Sequence, residues 1–111
     1  MDNLIQKYHC DIRQSIEEIN EFLELKSRKY EVYLQDTMFR RAIERNVSII
    51  GEAVTKLLQL DPEIKITHAK NIKRCRNLVV HAYDSLDSTI MWAVVINDLP
   101  VLLSEVKSLL K

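Results

Sequence analysis

Apolar residues recur every three to four positions along most of the chain, which is the period of an amphipathic α-helix. The first run contains Ile5, Tyr8, Ile12, Ile16, Ile19 and Leu23. It predicts one long helix that Asp2 can cap with its side chain. Residues 27–36 break the pattern and are interpreted as a connection. The hydrophobic pattern thus favours a chain built from helices.

A second long helix is predicted to begin near Asp36 or Thr37 and to end at Asp61-Pro62, because proline disfavours a helix interior. Three shorter helices are expected to follow, beginning at Thr67, at Asp87 or Ser88, and at Asp98-Leu99-Pro100. The prediction is an all-α antiparallel bundle of about five helices, two long and then three shorter. The 111 residues are expected to form a single domain, 1–111.

Gly51, the only glycine in the sequence, falls in the middle of the second predicted helix. Glycine costs roughly 1 kcal/mol relative to alanine inside a helix. The favoured interpretation is that the backbone of another helix approaches closely at this point.

Composition and charge narrow the picture further. One glycine and two prolines are too few for the tight turns of a β-rich fold. The 16 basic and 16 acidic residues cancel, whereas a general electrostatic binder of nucleic acid is more basic. The basic residues form a first basic cluster (Arg40, Arg41, Arg45) and a second basic cluster (Lys65, Lys70, Lys73, Arg74, Arg76). Most such runs are solvated helix faces, although the second one flanks the motif described below.

The remaining sequence signals concern location and metals. Cys10 and Cys75 are far apart without metal-like spacing, and both are interpreted as reduced. No stretch approaches ~18 consecutive apolar residues, and the N-terminus lacks the regions of a signal peptide. We therefore expect a cytoplasmic protein that does not span a membrane and has neither a metal site nor a cofactor.

The third predicted helix has an unusual polar side. With Arg76 set at zero on a helical wheel, Asn77 lies near ~100°, His81 near ~140° and Tyr83 within about 20° of Arg76. Lys70, Lys73 and Arg74 lie on the same polar arc, which contains no carboxylate. The arc therefore predicts a locally positive surface that includes a titratable imidazole.

These side chains suit the cleavage of RNA without a metal. Attack by the neighbouring 2′-hydroxyl on a phosphodiester requires one proton to be removed and another delivered, and His81 could do either. Arg76 could stabilise the charge on the phosphate, because its guanidinium is always protonated. Asn77 could orient His81, and Tyr83 could stack on a base. By chemistry alone, an exposed helix face with no function is the commoner explanation.

Residues 76–83, R-N-L-V-V-H-A-Y, resemble the R-x-x-x-x-H-x-Y signature of the HepT-like proteins of the HEPN superfamily. Residues 50–53 match the family's I-G-E-A on the second long helix. Asp11-Ile12, and Asp87 followed by Trp92 and Leu99-Pro100, also fit the family pattern. The resemblance covers nearly the whole chain in order.

This resemblance implies a HEPN-type bundle that pairs as a homodimer, with two motifs facing one cleft. Arg76 and His81 would be catalytic, and Asn77 and Tyr83 would support them. Lys70, Lys73 and Arg74 are the expected RNA-binding residues beside the motif. The implied activity is that of an endoribonuclease toxin, silenced by a minimal nucleotidyltransferase antitoxin that adenylylates Tyr83.

Two alternatives stay open. The chain could be a non-catalytic module that binds a nucleotide or docks a nucleotidyltransferase, or a purely structural domain. Arg76 and His81 also point about 140° apart on a regular helix. Either the helix loosens near His81 or the working site combines residues of two chains, so a monomer is expected to be a poor nuclease.

Overall fold

The computed structural model describes residues 3–81 and 88–109, and no strand occurs within these two ranges. The helices are α1 (Asn3–Leu25), α2 (Tyr30–Gln35), α3 (Thr37–Leu60), α4 (Ala69–His81), α5 (Ser88–Ala93) and α6 (Leu99–Leu109). A π-helical stretch, Val94–Asp98, joins α5 to α6 and is called the π segment below. The predicted all-α bundle is confirmed, and its two long helices, α1 and α3, have 23 and 24 residues.

Helix α3 occupies the centre of the bundle, because it packs against α1 on one side and α4 on another. Helix α6 packs on α1. The periodic apolar residues of the sequence form the core, among them Ile12, Ile16, Ile19, Ile43, Val47, Ile50, Val54, Leu57, Ile72 and Cys75. Burying one such isoleucine or leucine stabilises the fold by roughly 1.5–3 kcal/mol. The core therefore fixes α4, which carries the motif, against α3.

The connection predicted for residues 27–36 is wrong for Tyr30–Gln35, which form α2. Tyr33 is fully buried, and its ring lies 4.9 Å from that of Trp92. A helix of six residues is too short to show a period, and tertiary packing holds it. Helix α3 begins at Thr37, as predicted, and Asp36 caps it by accepting a hydrogen bond from the Phe39 amide at 3.0 Å.

Helix α4 begins slightly later than predicted. The Ile72 amide donates to the His68 carbonyl at 3.0 Å, so the helix starts at Ala69 rather than at Thr67. Thr67 does not cap it, because the Thr67 hydroxyl donates instead to a Glu105 carboxylate oxygen at 2.8 Å. This bond ties the start of α4 to α6.

The two last predicted helices form one continuous run, Ser88–Leu109, rather than two separate helices. Proline has no amide proton, and its ring clashes with the carbonyl four residues earlier, here that of Ile96. Just before Pro100 the chain adopts the π segment, in which the Leu99 amide bonds to the Val94 carbonyl. The proline therefore widens the helix locally instead of ending it.

By length and mean hydropathy alone, the run Ser88–Leu109 is able to cross a membrane. The run does not contain the ~18 consecutive apolar residues considered in the sequence, because Asn97, Asp98 and Glu105 interrupt it. Core helices meet the same criterion, and Met91, Val95, Leu99, Leu102 and Val106 of this run are buried in the bundle. The absence of a membrane span stays a prediction.

Candidate active site

Helices α3 and α4 approach each other closely at Gly51. A methyl group at this position would overlap the β-carbon of Arg76 and would lie 2.9 Å from its γ-carbon. It would also come within 3.4 Å of the Ile72 carbonyl oxygen. The close approach predicted from the lone glycine is confirmed, and it fixes the stem of Arg76 against the bundle.

The charged end of Arg76 has no counter-charge in the part of the chain that the structure describes. The side chain is partly buried, and its Nε is buried without a hydrogen-bond partner. None of the ion pairs between described residues includes Arg76. A buried cation without a partner is unfavourable, whereas an arginine fork matches two phosphate oxygens. The side chain is therefore suited to binding an anion.

The other predicted catalytic residues are described less completely. Helix α4 is regular from Arg76 through His81, so loosening between these positions is excluded, and they lie about 140° apart around the axis. Asn77 is exposed on α4. The side chain of His81 and the whole of Tyr83 lie outside the described residues. Their contacts with Arg76 stay predictions.

The predicted RNA-binding residues lie on the accessible side of α4. Lys70 and Arg74 are exposed, and Lys73 is partly exposed. No described carboxylate forms an ion pair with any of the three. These three side chains form a positive surface on α4 that no ion pair between described residues neutralises.

The first basic cluster is different, because it surrounds a carboxylate. Glu44 is buried with 4% of its surface exposed, 3.8 Å from Nε of Arg40 and 3.4 Å from a guanidinium nitrogen of Arg41. Burial raises the pKa of Glu44, and the two arginines oppose this shift. Arg40 also donates to the Leu34 carbonyl. Two of the three cations are thus engaged within the chain.

Asp98 is a functional candidate that was not predicted from the sequence, where it marked only the start of a helix. Its side chain is buried, with one carboxylate oxygen 3.4 Å from the Asn71 side-chain amide. The other oxygen lies 3.5 Å from Nδ1 of His68. An acidic residue that follows the apolar stretch 90–96 closely and directly precedes Leu99-Pro100 is the signal that could have indicated it.

Cys75 on α4 and His9 on α1 are also buried titratable groups. Burial raises the pKa of the Cys75 thiol to about 11, so this cysteine is not a reactive thiolate. His9 is buried on α1, its Nδ1 has no described partner, and burial lowers its pKa. Within residues 3–81 and 88–109, no group of three or more histidine, cysteine or acidic side chains is placed to hold a metal.

Comparison with known proteins identifies the family of the chain. The sequence model of the family described as "Ribonuclease HepT-like" matches residues 12–109. A "Probable ribonuclease HepT" of Thermococcus cleftensis is 30% identical over 113 residues, covering 96% of this chain and 100% of that protein.

Two further relatives carry names that designate candidate RNases. One, from Methanocaldococcus jannaschii, is 29% identical over 105 residues, with 93% of this chain and 94% of that protein covered. The other, from Caldanaerobacter subterraneus, is 31% identical over 91 residues, with coverage of 78% and 79%. No solved structure is significantly similar to the chain.

Proposed function

The chain belongs to the HepT-like ribonuclease family, and we propose that it is a metal-independent endoribonuclease toxin that acts in the cytoplasm. Its substrate is RNA, which it cleaves at phosphodiester bonds. A minimal nucleotidyltransferase antitoxin, acting through adenylylation of Tyr83, would silence it. A bulky charged adduct beside Arg76 would block and repel the phosphate of the substrate.

The observation that carries this proposal is the state of Arg76. Its stem is held against Gly51, its Nε is buried, and no described residue neutralises its charge. Partly burying a cation without a partner costs free energy, and the binding of an anion lowers this cost. The phosphate of RNA supplies that anion, and it gains negative charge on its oxygens as the 2′-oxygen attacks.

In the proposed reaction, His81 supplies the acid–base chemistry. A neutral imidazole takes the proton of the 2′-hydroxyl while the 2′-oxygen forms a bond to phosphorus. The bond from phosphorus to the 5′-oxygen breaks, and that oxygen receives a proton from an imidazolium. The products are a 2′,3′-cyclic phosphate and a free 5′-hydroxyl. Arg76 holds the phosphate oxygens throughout these steps.

The helix geometry supports the proposal of a homodimer. Positions 76 and 81 lie about 140° apart on a regular helix, so one chain does not direct both toward the same phosphate. In the proposed dimer, Arg76 of one chain and His81 of the other act on one bond. Asn77 and Tyr83 support the site, and Lys70, Lys73 and Arg74 bind flanking phosphates.

The direct test compares RNA cleavage by the wild-type chain and His81→Ala in a chelating buffer. We expect the wild type to cleave without added metal, to leave cyclic phosphate ends, and to lose cleavage on substitution. Gln59→Ala removes an exposed amide on the far part of α3 and serves as the matched control. Equal cleavage by wild type and His81→Ala would refute the proposal. Nucleotide binding without any cleavage would favour a non-catalytic binding module.

A further inference from the structure

A cleft of mixed polar and apolar lining lies between α4 and the helical run that contains the π segment. Its volume is about 320 Å³, at the lower end of the roughly 300–1,000 Å³ that is usual for small-ligand pockets. Asn71, Arg74, Asn97 and Asp98 give it polar walls, and Ala93 and Val94 give it an apolar one. A planar group with polar edges fits this mixture of surfaces.

The buried carboxylate of Asp98 has two contacts within the chain but can accept further hydrogen bonds. Its two oxygens have about four acceptor sites between them. The contacts with Asn71 and His68 use one site on each oxygen, at 3.4 Å and 3.5 Å. Capacity is left to accept hydrogen bonds from a donor inside the cleft. The exposed amide of Asn97 supplies both a donor and an acceptor at its rim.

Arg74 connects this cleft with the catalytic motif. It lines the cleft and lies on the same accessible stripe of α4 as positions 77 and 81, by the spacing of a helix. Position 81 is seven residues further along, which is ~10.5 Å on a helix. This is the length of only a few nucleotides along a strand. A nucleotide close to the cleaved bond therefore reaches the cleft.

We propose that this cleft binds one base of the RNA substrate and selects bases that carry an exocyclic amino group. Because it names a subsite for RNA, the proposal rests on the ribonuclease function proposed above. Asp98 accepts from the amino group, as acidic side chains do from cytosine in nucleic-acid complexes. Ala93 and Val94 contact the face of the ring, and Arg74 binds the adjoining phosphate.

The chemistry of the bases explains the expected selectivity. Adenine, cytosine and guanine each present an amino donor, whereas uracil presents two carbonyl oxygens beside a single N–H. Placing uracil in the cleft would bring carbonyl oxygens close to the Asp98 carboxylate. Proteins that read RNA sequence bind unstacked bases of single strands at these same edges. Single-stranded RNA is therefore the expected substrate class.

The test titrates the four nucleoside 5′-monophosphates into the full-length, ¹⁵N-labelled protein and follows the side-chain amide signal of Asn71. We expect the adenosine, cytidine and guanosine monophosphates to shift this signal, with uridine monophosphate binding about ten-fold more weakly. Asn97→Ala should weaken binding of the preferred nucleotides about five-fold, and Asp98→Asn should bring uridine within about two-fold of them. Gln59→Ala is the matched control and should leave all affinities unchanged.

Equal affinity for all four nucleotides, or unchanged affinity in Asn97→Ala, would overturn the proposal. Asn97 is exposed, so its substitution leaves the packing of the core intact even if Asp98→Asn fails to fold. The titration needs no cleavage. Selective binding by a chain that does not cleave RNA would thus refute only the ribonuclease function. Cleavage with the same base preference in wild type and Asn97→Ala would refute only the cleft.

Discussion

The two basic clusters look alike in the sequence and differ in the structure. In the first, Arg40 and Arg41 surround the buried carboxylate of Glu44. In the second, Arg76 has a buried Nε with no described partner. Cations paired within the chain stabilise the fold or balance a buried charge, whereas an unpaired, partly buried cation is available for an anion from outside. Pairing, rather than the number of cations, therefore distinguishes the clusters.

The largest contrast is expected from removing one arginine of each cluster. Arg76→Ala should reduce kcat/KM for RNA by about 10²–10³-fold, the usual effect of losing one preorganised transition-state contact. Arg41→Ala should change it less than about two-fold, because Arg41 is paired with Glu44 within the chain and is not available to RNA. The free energy of unfolding should not fall in Arg76→Ala, since the substitution removes a partly buried charge without a partner. Similar losses of cleavage in both variants would show that the two basic clusters do not differ in their contribution to cleavage.

The tight contact that supports Arg76 can be tested at Gly51. Gly51→Ala forces α4 away from α3 and should lower the free energy of unfolding by about 1–3 kcal/mol, as overpacking does. The gain in helix propensity, roughly 1 kcal/mol, offsets only part of this loss. Denaturant unfolding measures the change, and Gln59→Ala should remain within about 0.5 kcal/mol of wild type. A more stable Gly51→Ala would show that the contact is loose.

The unpaired surface lysine and arginine should control the salt dependence of RNA binding. Replacing Lys70 and Arg74 together by alanine should reduce the slope of log affinity against log salt by about 1.4, which is ~0.7 per lost contact with a single strand. The double variant of Arg40 and Arg41 should leave the slope nearly unchanged. Affinities measured across a series of salt concentrations check this, and equal slopes for wild type and both variants would contradict it.

The smallest effect is expected from removing the carboxylate that pairs with the first basic cluster, which leaves its arginines unpaired like those of the second. Glu44→Gln removes the carboxylate, so Arg40 and Arg41 become available and RNA binding should become slightly more salt-dependent. Because burial raises the pKa of Glu44, the folded state binds its proton more tightly than the unfolded state does. The contribution of Glu44 to stability therefore rises as the pH falls through its folded pKa toward the unfolded value.

Glu44→Gln should lack this rise. The free energy of unfolding of the wild type, relative to that of the variant, should consequently rise on acidification, and unfolding measured from neutral to acidic pH checks it. His9 works in the opposite direction, because its lowered pKa makes stability fall as the pH drops below about 6.5. The contribution of His9 is the same in both proteins, so it cancels when their stabilities are compared at each pH. A difference that stays constant with pH would contradict the role given to Glu44.

Much of this fold could be predicted from the sequence, because the apolar period specifies the long helices and their buried sides. Gly51 even indicated the helix contact that supports Arg76. Helix α2 could not be predicted, since Tyr33 is held by a distant ring, that of Trp92. The π segment was missed for a related reason. A proline usually ends a helix, and only packing of both flanking parts in one core keeps Pro100 inside it.

The candidate site divides in the same way. The motif on α4 follows from sequence spacing and family resemblance, so Arg76 could be chosen before its surroundings were known. The pairing of cations with Glu44, and the cleft at Asp98, depend on which helices meet. Those contacts join residues far apart in the chain, and no local pattern specifies them.

The most direct test of the central claim, that α4 carries a nuclease site completed by a second copy, mixes two inactive variants. Arg76→Ala and His81→Ala are each expected to be inactive, and co-refolding them in equal amounts yields mixed dimers. If each site uses Arg76 of one chain and His81 of the other, each mixed dimer has one intact site. About a quarter of wild-type cleavage should then return, given random pairing in a two-fold dimer. No recovery, with mixed dimers confirmed by mass measurement, would contradict the shared site.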